Sequence, residues 1–352
     1  MCRTAAAHLQ SGGEVFAHSG TLRQFAEFAR EAGIDLGVLN KHLLAGMERS
    51  QRDDYVPAQL VADILQHCAL LSHRPDLGIA FIAWANLRRF SPFSLFWDIC
   101  PTISDLARLT EKFGSLENEG FATKVLEESD EVALCHYCLA PTRYGSGQFI
   151  EASFALDMRL IRAMLGAQWH PLRIEFNHVA PDDQRAHRAA FGCQIVWGAD
   201  RNAMIVSRTD LHLPSRNANR QMLLFLEKRV TADTAGADDF PKRVQMEVIA
   251  HLAGGNANAD NVAALLAVSR RTMQRRLAEN GMNFAEILRA SRTLAAQDYL
   301  ASGAVPNLCE LSHRLGYGEA SAASRFLKQH FGTGLKALKR PSLEAKMPPG
   351  RG

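Results

Sequence analysis

The chain has 352 residues, 47% of them apolar and 22% charged. That is a globular balance, long enough for two domains, and it excludes a wholly disordered or collagen-like chain. No run of 18 apolar residues occurs, so no membrane-spanning helix is expected. The first ten residues lack the apolar stretch of a secretion signal, so a cytoplasmic location is expected. The net charge of +3 conceals a division: residues 1–240 hold 24 Lys and Arg against 29 Asp and Glu, residues 241–340 hold 14 against 7. A basic block on a mildly acidic body points to a polyanion partner for the block alone.

In chain order, residues 1–20 show no period and read as a loose lead-in. From Thr21 the apolar residues Leu22, Phe25, Ala26 and Ala29 recur at helical spacing. Pro57 opens a second helix over Ala58–Ser72, Leu77–Leu87 is apolar nearly all round and reads as buried, and Pro101-Thr102 starts a helix with Leu106, Leu109 and Phe113 inward. Alternation then predicts paired strands over Phe121–Glu127 and Val132–Leu139. A helix over Phe149–Gly166, a strand over Leu172–Val179, a helix over Asp182–Phe191 and strands at Gln194–Trp197 and Ala203–Ser207 follow. The pattern is that of an α+β domain closing near Leu213. A helix over 218–230 leads into a small, polar linker at 231–239. Met222, Leu223, Leu226 and Val230 on that helix form either a dimer face or an internal packing face.

Beyond Pro241 every segment is helical: 242–253, 260–266, 270–279, 284–302, 307–314 and 320–331. Twice, a short apolar helix, a tight turn and a second helix rich in cations follow one another, the form of a helix-turn-helix. In the first, Met273 and Leu277 make a buried stripe and leave Arg270, Arg271, Gln274 and Arg275 outward. Arg reaches guanine O6 and N7 with two hydrogen bonds, and Gln does the same for adenine N6 and N7. Ser269 caps that helix at an end which also welcomes phosphate, and Arg276 adds a further phosphate-contacting cation. In the second, Ser321, Ala322 and Arg325 face bases and Lys328 faces phosphate. The helix between the two readers, about 28 Å long, falls short of the roughly 34 Å that separates successive major-groove faces. Some bending of the DNA, or looser contact by one reader, is expected.

Residues 256–340, through Val262–Leu277, Leu315-Gly316-Tyr317, Ser324-Arg325 and Phe331-Gly332, resemble the DNA-binding domain of the AraC/XylS family of bacterial transcription regulators. The resemblance implies base contacts by Arg271, Gln274 and Arg275 from the first reader and by Ser321, Ala322 and Arg325 from the second. Ala323 stands where such proteins carry an aromatic, and Leu335 and Leu338 replace the usual Pro and Tyr. Residues 34–214, through Trp169-His170-Pro171, Ile174–His178, Pro181, Phe191-Gly192, Asn202 and Leu211, are similar to the effector domain labelled arabinose-binding type. That similarity implies a small-molecule sensor without identifying its ligand.

The expected architecture is an α+β N-terminal regulatory domain over 21–213, a helix and linker over 214–240, an all-α C-terminal domain with two helix-turn-helix motifs over 241–340, and a disordered tail over 341–352. The expected partners are double-stranded promoter DNA, RNA polymerase, a small-molecule effector and a second copy of the chain. No cofactor or metal is expected. Cys135 and Cys138 sit on a strand, where residues three apart face opposite ways, and no second CxxC exists. His170, His178 and His187 fall on separate elements and read as structural. The aromatic group Trp84, Phe90, Phe93, Phe96 and Trp97 suits core packing, with an effector pocket as the alternative. No GxGxxG, Walker loop, GxSxG elbow or HExxH occurs; the rival function is a DNA-tethered, thiol-dependent enzyme using Cys135 or Cys193.

Overall fold

A computed structural model describes residues 15–234, 240–302 and 305–338. Helices α1 (Gly20–Glu31), α2 (Lys41–Ser50), α3 (Gln59–Leu71), α4 (Leu77–Trp84) and α5 (Ile103–Phe113) precede the sheet, joined by a two-stranded ribbon of β1 (Phe16–His18) and β2 (Tyr55–Pro57). Part of the expected lead-in is therefore ordered: β1 pairs antiparallel with β2, and α1 already begins at Gly20. Residues 1–14 lie outside the described residues. Pro57 ends β2 rather than opening α3, which suits a residue without an N–H donor on a short edge strand.

The sheet runs β3 (Phe121–Glu127), β4 (Glu131–Cys138), β7 (Ala203–Ser207), β5 (Arg173–Phe176), β6 (Gln194–Trp197), antiparallel except for the parallel β5–β6 pair. Along β4 the side chains alternate. Val132 and Leu134 enter the main core, while Ala133 and Cys135 join Ala203 and Ile205 in a small cluster on the other face. The 19-residue α6 (Gly147–Leu165) lies against the main-core face; the stacked rings of His136 and Phe154 tie it to β4 at 4.4 Å. α4 crosses α6 at Gly78, where a Cβ would stand 2.3 Å from the Gln148 carbonyl oxygen, so only glycine permits this approach. α7 (Arg185–Phe191) and α8 (Arg220–Thr234) complete this part. On α8 the residues read as either a dimer face or an internal packing face mostly pack inward. Leu223 is buried, Leu226 and Val230 pack against the core, and Met222, Leu224 and Phe225 are exposed instead. The linker expected at 231–239 is helical through Thr234, and residues 235–239 lie outside the described residues.

The C-terminal part holds α9 (Phe240–Ala250), α10 (Ala259–Leu265), α11 (Arg270–Glu279), α12 (Phe284–Ala301), α13 (Leu308–Arg314) and α14 (Ala320–Phe331). It has two cores strung along α12. Ile287 packs with Phe240, Val244, Met273 and Leu277; Ala296 and Tyr299 pack with Leu311, Leu315, Phe326 and Leu327. Phe240 is 1% exposed and belongs to the first of these cores. A boundary drawn at 241 would strip that core of its largest ring.

Candidate nucleic-acid interface

The first unit, α10–turn–α11, is set by local signals. Asn258 caps α10, and Ser269 caps α11 by accepting the Thr272 N–H at 3.1 Å. Met273 and Leu277 are fully buried, which turns Arg270, Arg271, Gln274 and Arg275 to solvent as the four-residue spacing demands. Arg271 and Gln274 have no protein partner among the described residues. Arg270 pairs with Asp260 at 3.1 Å and Arg275 with Glu279 at 2.8 Å. All four groups are exposed, so each pair is worth at most about 1 kcal/mol and yields readily to a phosphate or a guanine edge.

Arg276, expected at phosphate, lies next to α9. It is half-buried, with its guanidinium 3.8 Å from the centroid of the Phe240 ring. Its position beside Leu277 turns it toward α9, where its planar face covers apolar surface.

The second unit, α13–turn–α14, repeats the first with other chemistry. Asn307 caps α13, Ala323 and Leu327 are fully buried, and Phe326 is nearly so. Ser321, Arg325 and Lys328 are exposed and Ala322 is half-exposed. Arg325 and Lys328 have no partner among the described residues, whereas the Ser321 hydroxyl donates to Glu319 Oε2 at 3.1 Å. Buried Ala323 leaves room for Phe326, whose ring lies 6.2 Å from Tyr317 and 4.5 Å from His330. Arg292 on α12, the helix between the two units, donates to the Leu315 carbonyl and lies 4.0 Å over the Tyr317 ring.

The model of the arabinose-binding domain of AraC transcription regulators, N-terminal, matches residues 25–215, and a helix-turn-helix domain model matches residues 262–340. The chain belongs to the AraC family of transcription regulators. It is a DNA-binding regulator of that family, with promoter DNA as its partner. The HTH-type transcriptional regulator VirS of Mycobacterium tuberculosis, in strains H37Rv and CDC 1551, is 24% identical over 321 residues, 88% of this chain and 92% of that protein. The crystal structure of the transcriptional regulator CdpR from Pseudomonas aeruginosa is similar over 90% of this chain and 96% of that one, at 19% identity and a TM-score of 0.42.

In this AraC-family chain the two parts touch through polar contacts that sequence reading missed. Asp298 on α12 accepts the Ser146 hydroxyl at 2.7 Å and the Asn177 amide at 2.8 Å. Lys124 on β3 pairs with Glu247 on α9 at 2.6 Å, and His313 with Asp200 at 3.0 Å. Ser146 immediately precedes α6, and α6 also walls a cavity of ≈ 100 Å³ in the N-terminal part. Three of the expected aromatics, Phe90, Phe93 and Trp97, line that cavity. Phe96 instead stacks on Phe113, and the Trp84 N–H donates to Glu31.

His178 and His187, on separate elements as expected, converge on buried Glu151 at 2.8 and 3.1 Å, while His170 lies 3.2 Å from the Pro171 carbonyl. Burial pushes Glu151 up, but the two imidazole hydrogen bonds outweigh it and hold the carboxyl below its ordinary value. The cluster ties α6 to α7 and to the end of β5. Burial pushes the Cys135 and Cys193 thiols up to about 11, the opposite of what a thiolate nucleophile requires.

Proposed function

We propose that α11 and α14 read two adjacent major-groove segments of a promoter, while the N-terminal part senses a small effector. Arg271, Gln274 and Arg275 would contact bases from α11, and Ser321, Ala322 and Arg325 from α14. Ser269, Arg270, Arg276 and Lys328 would contact phosphate, Arg276 from beside the Phe240 ring. The observation that carries the reading is the repeated burial pattern. Met273 and Leu277 are buried in α11 and Ala323 and Leu327 in α14, so Arg275 and Arg325 both face solvent two residues before the second buried position.

The effector reading rests on the cavity and on α6, which connects the cavity wall to Ser146 and hence to Asp298 on α12. Such coupling alters DNA binding only if the effector favours one arrangement of the two parts, and the linkage is then reciprocal. A second copy of the chain would pair through the exposed Met222, Leu224 and Phe225, and RNA polymerase would meet the regulator at the promoter. The domain division we propose keeps Phe240 with the DNA-binding part, so that part would span 240–338.

Binding titrations of the full chain on its own upstream DNA, over a range of salt, test the reading. Lys328→Ala should weaken all sequences alike and reduce the salt slope by about 1. A salt slope unchanged in Lys328→Ala and in Arg270→Ala would reject the phosphate assignments.

A further inference from the structure

The cavity wall in the N-terminal part has an unusual division of chemistry. Phe81, Phe90, Phe93, Trp97, Phe121 and Phe149 supply aromatic faces around it. The charged side chains that reach it are Glu117 and Asp157; no Lys or Arg lines it among the described residues. Its volume of ≈ 100 Å³ is on the scale of the roughly 150 Å³ engineered cavity that takes up benzene.

His136 forms part of the same wall and is 3% exposed. Its Nε2 lies 3.1 Å from Asp157 Oδ2, so the proton sits on Nε2 and is donated to that carboxylate. Nδ1 is then a bare acceptor, and it has no partner among the described residues. The hydroxyl of Thr123, paired with His136 across β3 and β4, is likewise buried and without a partner among the described residues. The other imidazole in the wall, His18, accepts the Gly20 N–H through Nδ1, and burial lowers its pKa. Among the described residues the wall thus holds two carboxylates and the unpartnered His136 Nδ1 beside the neutral Asn118, Thr21 and Ser153, with no Lys or Arg to receive an acidic ligand.

Building on the effector reading above, we propose that this cavity binds a compact apolar amine, its ring or branched chain against the aromatic wall and its ammonium group hydrogen-bonded to the Glu117 carboxylate and to Nδ1 of His136. An ammonium carries three donors and no acceptor, so the Glu117 carboxylate and His136 Nδ1, which has no donor among the described residues, can share it. Aromatic faces attract the same cation through their quadrupoles, most strongly where water is excluded. Burial pushes the Glu117 carboxyl up to about 7, and a cation beside it reverses that penalty. Asp157 acts as a positioning residue, since it holds the His136 tautomer that leaves Nδ1 free to accept.

The test uses the full chain and three probes that share one ring: benzylamine, benzyl alcohol and benzoate, compared by calorimetric titration. Benzylamine should bind saturably, about tenfold or more tighter than either of the others, the scale of a hydrogen bond to a charged group. Glu117→Gln should erase that advantage without weakening benzyl alcohol. Asp157→Asn should weaken benzylamine severalfold and leave benzyl alcohol unchanged, and it serves as the second variant if Glu117→Gln fails to fold. Ser153→Phe, which places a ring in the cavity, should abolish binding of all three. Tightest binding by benzoate, no saturable binding of benzylamine, or an amine advantage that survives Glu117→Gln in the folded variant would overturn the proposal. Promoter affinity of Ser153→Phe separates the two readings. A changed affinity without amine binding rejects the amine alone, whereas an unchanged affinity and unchanged promoter output reject the cavity as a sensing site.

Discussion

Between α10 and α11 the chain turns through Leu266-Ala267-Val268, with Ala267 at φ 55°, in the left-handed region. Between α13 and α14 the corresponding turn is Leu315-Gly316-Tyr317, with Gly316 at φ 68° and one further residue before the helix starts. The hydrogen bonds correspond. Ala267 N–H donates to the Ala264 carbonyl and Val268 N–H to Ala263; Gly316 N–H donates to His313 and Tyr317 N–H to Ser312. The same turn is thus built once with alanine, which tolerates the conformation at a cost, and once with glycine, which has no alternative. A Cβ on Gly316 would stand 2.4 Å from the Leu252 carbonyl oxygen. The outward faces differ more. α11 presents three arginines and a glutamine, while α14 presents Arg325 and Lys328 among small residues. The scaffold depends on burial and turn geometry, so the outward positions are open to change.

Five substitutions break or sharpen that comparison. The largest effect is expected for Phe240→Ala, which empties the first C-terminal core and removes the ring beneath Arg276. It should cost about 3–5 kcal/mol, and hydrogen exchange should accelerate in α11 before α14. Equal loss of protection in both helices would show that the two cores unfold as one.

Gly316→Ala follows, at about 2–4 kcal/mol, from the strained φ together with the clash at Leu252. Here α13 and α14 should lose protection first, and denaturant titration gives the size of the change.

On DNA, Arg275→Ala should remove about 1–3 kcal/mol of discrimination at a single base position, read by titrating matched and single-mismatch sites. Arg325→Ala should do the same at a second position. If either variant loses affinity equally on every sequence, that arginine contacts phosphate and not a base.

The smallest effect has the opposite sign. Ala267→Gly should stabilise the first unit by about 0.5–1 kcal/mol, because glycine relieves the left-handed strain and this outweighs its larger unfolded-state entropy. A destabilisation in thermal melts would mean that the Ala267 methyl is needed for packing.

Much of this fold was legible from local pattern. Strands Gln194–Trp197 and Ala203–Ser207 were predicted with the bounds they have, as was the 270–279 helix. The reason is that period, caps and turn residues act within a few positions. Asn283 and Glu286 close a capping box three residues apart, and Met273 and Leu277 reveal a buried stripe by their spacing alone. The outward placement of Arg271, Gln274 and Arg275 followed from that stripe.

What local pattern left open depends on residues far apart along the chain. Arg276 carries the same charge as its neighbours, and only the docking of α9 turned it onto Phe240. Leu226 and Val230 have a dimer-like spacing, but the core of the N-terminal part takes them. Glu151 gave no sequence signal of its own; it meets His178 and His187 because α6, β5 and α7 converge there, 27 and 36 residues away. Asp298 meets Ser146 across 152 residues, and the cavity draws its wall from α3, α4, α6, β3 and β4 together. The amino-acid sequence by itself determined the helices, the strands and the two helix-turn-helix units, because those free energies come from neighbours in the chain. The partners of Arg276, Glu151 and Asp298, and the shape and charge of the cavity, were decided only by tertiary packing, because burial and hydrogen bonding act between whatever side chains the fold brings within contact.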